Sequence, residues 1–140
     1  MSENVEVVRR LFDALARGDF EGATSELDPN AEWHNTAVFP GPKVVRGATA
    51  IVDFLRDMFA AYSGSEGTIE NVADADDTVV VEIHSRARGA RSGIPIDARW
   101  ANTFRLRHAK VVRVDTHGRY AKALQAAGLR ERVRANRRAT

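Results

Sequence analysis

A chain of 140 residues, 44% of them hydrophobic, is enough sequence for one domain and can bury a core without crosslinks. It has no cysteine, which excludes disulfides and thiolate chemistry, and no apolar run approaches the ~20 residues that span a bilayer. The net charge of +2 is uneven, because five arginines and one glutamate fall in "RERVRANRRAT", residues 130–140; the basic excess belongs to a tail, and nucleic acid is not the expected partner.

The N-terminus "MSENVEVVRR" lacks a signal-peptide pattern. The expectation is a cytoplasmic protein with one domain over residues 1–129 and an Arg-rich tail over 130–140. Residues 4–17 place Val5, Val8, Leu11, Phe12 and Leu15 at helical spacing. Gly18 stops that helix, and Asp19 caps a short second one, "FEGATSEL", which ends at Asp28-Pro29. "AEWHN" reads as a short strand, and "VFPGPKV", with two prolines and a glycine, as a loop. Residues 48–62 form a strong helix with Ile51, Leu55, Met58 and Tyr62 in one stripe, flanked by Phe54 and Phe59.

From there the period becomes two. "GTIENVA", "TVVVEIHSRARG", "IDARWANTFRLR" and "KVVRVDTH" read as strands, separated by turns at "DADD", "ARSGIP" and "HA". "AKALQAAGL" closes the chain as a helix ended by Gly128. Helices first, then an antiparallel meander, predict an α+β plan with helices layered on one face of a curved sheet and a cavity between.

The stretch "VVVEIHSRAR" leaves one question open. Val79, Val81 and Ile83 share one face, while Val80, Glu82, His84 and Arg86 share the other. Either row could look into the cavity. On the next strand, Trp100, Asn102, Phe104 and Leu106 form a mostly apolar row that suits the concave side. The four histidines lack metal-ligand spacing, and "GPKVVRG" lacks the spacing of a phosphate loop. No metal and no cofactor are expected. His108 falls in a turn, and His117 ends a strand, at a pocket mouth or on the surface.

"VVRRLFDALARGDFEGATSEL", "VRGATAIVDFL" and "FRLRHAKVVRV" with "AKALQAAGL" resemble the SnoaL-like branch of the nuclear transport factor 2-like superfamily, over roughly residues 4–129. The resemblance implies a cone-shaped α+β roll whose curved antiparallel sheet carries the N-terminal helices on its concave face. It also implies an open pocket and commonly a homodimer, but it does not fix a reaction.

In the ketosteroid isomerase type, the family's base falls on Asn35, its oxyanion-binding Asp on Asn102 and its Tyr on Leu11. None of these keeps the needed group, since an amide is no base near neutral pH. In the limonene epoxide hydrolase type, the Tyr-His-Asn stretch matches Trp33-His34-Asn35, and an Arg-x-Asp pair falls on Glu82, His84 and Arg86. The water-activating Asp falls near Thr116, with Asp115 one place away, so a bulge would be needed to turn Asp115 inward. In the polyketide cyclase type, an Asp base would be Asp115 or Asp97, and both point outward by strand parity.

By the hydrolase resemblance, Glu82, His84 and Arg86 face the pocket. The expected protein then takes a small apolar molecule, as a cofactor-free hydrolase, isomerase or cyclase-like enzyme or as a plain binder. His84, Glu82, Asn35 and Asp115 are the catalytic candidates, with His84 and Asn35 meeting on one water or substrate oxygen. Trp33, Phe39, Phe54, Met58, Tyr62, Arg86, Trp100, Asn102, Phe104 and Thr116 are the binding candidates. His34, alternating with Trp33 and Asn35, is assigned a structural role. An outward row of Val79, Val81 and Ile83 would make the convex face a homodimer contact.

Overall fold

The computed structural model describes residues 2–35 and 42–129. Phe39 and the Arg-rich tail lie outside the described residues.

Helix α1 (Glu3–Arg17) starts where the Ser2 hydroxyl accepts from the Val5 amide, and it stops at Gly18, whose φ of 73° suits glycine. Asp19 caps the short α2 (Phe20–Ser25) by accepting from the Gly22 amide. Strand β1 (Leu27–His34) begins earlier than the sequence suggests and runs through Pro29. Proline has no N–H to give the ladder, and the pairing is irregular between Leu27 and Glu32. β2 (Val44–Arg46), too short to show a period, pairs antiparallel with β1. Gly47, at φ 95°, leads into α3 (Ala48–Ala60). That helix ends before Tyr62, which opens β3 (Tyr62–Ala75) and so leaves the helical stripe expected for it.

β4 (Thr78–Gly89), β5 (Pro95–Arg107) and β6 (Lys110–His117) follow as antiparallel hairpins, and α4 (Tyr120–Ala126) closes the fold. The β5–β6 turn holds His108 and Ala109 at φ 52° and 60°, the twist a two-residue hairpin requires.

The six strands form one sheet in the order β2-β1-β6-β5-β4-β3. The architecture is the expected α+β layering with one correction: β1 runs parallel to β6, so the sheet is mixed and not wholly antiparallel. The main core joins Val8, Leu11 and Leu15 of α1 and Ile51 and Leu55 of α3 to one side of the sheet, here called the inner face. α4 packs on the other side, the outer face, where Tyr120, Ala123 and Leu124 meet Ala73, Val80 and Ala101.

Candidate functional site on the inner face

Cross-strand partners share a face, so the register settles the parity of β4. Val79 pairs with Phe104, Val81 with Asn102 and Ile83 with Trp100. All these residues pack in or against the core under α1 and α3, except that Asn102 brings a polar group into the same row. The row Val79, Val81, Ile83 is therefore the inner one. Glu82, paired with Ala101, and His84, paired with Arg99, point outward, and so does Arg86, paired with Asp97. This corrects the pocket placement of Glu82, His84 and Arg86. It also removes the apolar motive for a dimer through the convex face.

The inner face carries a compact polar cluster in an apolar wall. Asn102 is 2% exposed, and its side-chain Oδ1 is buried with no hydrogen-bond partner. Thr116, its cross-strand partner, is also buried and donates to the His34 carbonyl at 3.4 Å. Level with Thr116, just past the end of β1, Asn35 accepts from the Trp33 indole N–H at 3.0 Å and donates to the Pro42 carbonyl at 2.9 Å. Trp33 is thus buried in the core and tied to Asn35, while His34 turns to the other side and meets Glu32 at 2.8 Å.

Phe104 and Val114 are fully buried, whereas Phe12, Phe54, Met58, Ile69, Val72 and Trp100 pack against the core only in part. Part of the apolar surface along the inner face therefore reaches solvent. Tyr62 is exposed at the start of β3. Two surface grooves lie elsewhere: one of about 630 Å³ at the start of α3 near Arg46 and Lys110, and one of about 390 Å³ between Glu66, Arg86 and Asp97.

The titratable candidates gather on the outer face. Glu82 accepts from the Asn71 amide at 2.6 Å. His84 sits between Asp97, 2.6 Å from its Nε2, and Glu70, 3.5 Å from its Nδ1. Hydrogen bonding to His84 holds the Asp97 carboxyl below its ordinary value, and the Arg99 guanidinium does the same for Glu70. Asp115 pairs with Thr103 in regular register, so no bulge turns it inward; it is gripped by Arg113 at 2.9 Å. His117 pairs with Ala101 on the outer face, and burial pushes its ring below the usual histidine value. His84 and Asn35 therefore do not share a site.

Sequence reasoning missed Glu70 and Asp97 as partners of His84. Both depend on cross-strand register, which a single strand's pattern does not contain. Among the described residues, no group of three or more His, Cys, Asp or Glu side chains is placed to hold a metal, and no helix is long and apolar enough to cross a membrane.

Comparison with known proteins agrees with this architecture. An uncharacterised protein of Mycobacterium tuberculosis is 30% identical over 112 residues, 79% of this chain and 85% of its own length. An NTF2-like protein of Burkholderia thailandensis superposes with a TM-score of 0.74 at 24% identity, over 91% of this chain and 98% of that one. TerC, co-crystallised with polyporic acid, also gives 0.74 at 18% identity, over 89% of this chain and 97% of its own. At such identities the likeness to the two structures establishes the fold alone. The sequence profile of the SnoaL-like domain matches residues 8–114, and with it the chain belongs to the SnoaL-like domain family.

Proposed function

We propose that the protein binds a small, largely apolar molecule on the inner face, and that Asn102 anchors a hydroxyl or similar donor of that molecule. The observation that carries this reading is the Asn102 Oδ1: a buried acceptor with no partner, in a mostly apolar row with the partly buried Trp100. An unsatisfied buried polar group costs free energy that a ligand donor would recover. Among the described strand residues, the inner face offers the Asn102 amide, the Ser85 and Thr116 hydroxyls and the Trp33 and Trp100 indoles; the carboxylate of Asp74, opposite Val79, is exposed near the end of β3, and His84, Glu82 and Asp115 lie on the other face. Proton transfer by His84, Glu82 or Asp115 therefore has no route to a molecule held there, and binding without turnover is favoured over acid/base catalysis. That a protein of this fold, TerC, is co-crystallised with polyporic acid supports a small organic ligand.

The two tryptophans, Trp33 and Trp100, both lie on the inner face, so intrinsic fluorescence reports directly on this site. Hydroxylated steroids, terpenes and aromatic polyketides should be titrated against the wild type and Asn102→Leu. A ligand that quenches or shifts this fluorescence should lose on the order of tenfold in affinity in the variant, the worth of one buried hydrogen bond. Equal affinity would remove Asn102 from the site. Conversion of any bound compound, followed by chromatography, would reinstate an enzyme.

A homodimer remains the proposed assembly, now through the charged outer face. There the acids Glu70 and Asp97 alternate with Arg86 and Arg99, a strip that can meet its own two-fold copy. Light scattering at low salt should return about twice the chain mass of 15.4 kDa, and the mass should fall in high salt. A chain-sized mass at micromolar concentration in low salt would exclude it.

A further inference from the structure

We propose that His84 is a protonation-dependent clamp that fastens the edge strand β3 to β5 across β4, and that it holds only while its ring carries both protons. Glu70 reaches His84 through a bulge. Ile69 pairs with Ile83 and Asn71 with Glu82, so Glu70 is the extra residue on β3. Asp97 approaches from β5 on the other side. The His84 side chain between them is only 10% exposed.

A neutral imidazole has one N–H and one lone pair. With a carboxylate at each nitrogen, the neutral ring must turn its lone pair toward one of them, and that contact becomes repulsive. Both contacts attract only when the ring is an imidazolium. The charged groups on the surrounding outer face are Glu66 and Glu70 on β3, Glu82, Arg86 and Arg88 on β4, and Asp97 and Arg99 on β5. Arg99 binds Glu70 at 2.9 Å, Arg86 lies 3.6 Å from Asp97, and Arg88 is turned to the Gly93 carbonyl. Acids outnumber cations in this patch, and the imidazolium supplies the balancing charge. Thr68, the cross-strand partner of His84, carries none.

β3 is an edge strand of the sheet and, among the described residues, pairs only with β4. On its inner side it contributes Ile69 and Val72, partly buried and in the cross-strand rows of Trp100 and Asn102. Loosening β3 therefore moves that part of the inner face. This last link rests on the proposed ligand site; the clamp itself does not.

The test is amide hydrogen exchange of residues 68–72 across pH 5 to 8.5, expressed as protection relative to intrinsic rates and measured beside the NMR titration of the His84 ring. In the wild type, protection should fall on the order of tenfold as the ring loses its second proton, with both transitions at one pH. His84→Gln should abolish the step, and Asp97→Asn, at a side chain 61% exposed, should shrink it. A wild-type profile without the step, or a step that survives His84→Gln, overturns the clamp. Ligand affinity read on the same samples separates the two proposals: no binding with the step intact removes the ligand site alone, and binding without the step removes the clamp alone.

Discussion

Replacing Phe104 with alanine is expected to cost about 3–5 kcal/mol of stability, the range for emptying a buried aromatic site. Phe104 is 0% exposed and pairs with Val79 on one side and Val114 on the other, so its ring sits at the centre of the inner face. It also meets Phe12 edge to face, with centroids 5.8 Å apart and planes at 80°, which ties α1 to β5. Truncation removes the transfer free energy and that ring contact, and it leaves a cavity the rigid strands cannot close. Domains are typically stable by only 5–15 kcal/mol, so the variant should be close to unfolding at physiological temperature. Urea unfolding of the two proteins measures the difference. Arg91→Ala, in the exposed turn between β4 and β5, is the control and should change stability by less than about 0.5 kcal/mol. A Phe104→Ala loss below about 1.5 kcal/mol would mean that the core is not organised around this ring.

The same residue shows what the sequence could and could not say. The period-two row Trp100, Asn102, Phe104, Leu106 is legible because only one of its two possible faces is mostly apolar, and burial follows apolar area. The row on β4 is not legible in that way. Val79, Val80, Val81 and Ile83 are all apolar, because α1 and α3 cover one side of the strand while α4 covers Val80 on the other. With both faces partly covered, alternation cannot choose between them, and the resemblance to a hydrolase chose the outer one. The pairing of Ile83 with Trp100 resolves it, and that information is non-local.

Helix ends were readable where a residue type enforces them, as at Gly18 and Asp19. They were not readable at Tyr62, where β3 takes over from α3 with no proline or glycine between. β2 escaped notice because three residues carry no period, and the parallel pairing of β1 with β6 because direction is not written in either strand. Of the site, Asn102, Thr116, Trp33 and Asn35 were found by resemblance. The side chains with acid/base chemistry were found as residue types and placed on the wrong side of the sheet.

Asn102→Asp tests the electrostatic character of the inner face more sharply than any truncation. The change is nearly isosteric, so it adds a charge with little change of volume. At 2% exposure, with Val81 and Thr116 as its cross-strand neighbours, the introduced carboxyl finds no cation on the described inner strands. Burial without a partner raises a carboxyl's folded-state pKa by up to 3–5 units, and each unit corresponds to about 1.4 kcal/mol.

The sign follows from linkage. Below the unfolded value near 4, the carboxyl is neutral in both states, and the variant should match the wild type closely. As pH rises above that value, the unfolded chain ionises while the folded one stays protonated. The variant then loses about 1.4 kcal/mol per pH unit until its raised folded pKa is passed. At neutral pH the deficit should reach about 4 kcal/mol, against near zero at pH 4. Urea midpoints for both proteins at pH 4, 5, 6 and 7 give the curve directly. A deficit constant across that range, or none, would mean that water or a cation reaches position 102, and the Asn102 side chain would then be a hydrated group instead of a dry, unpaired acceptor.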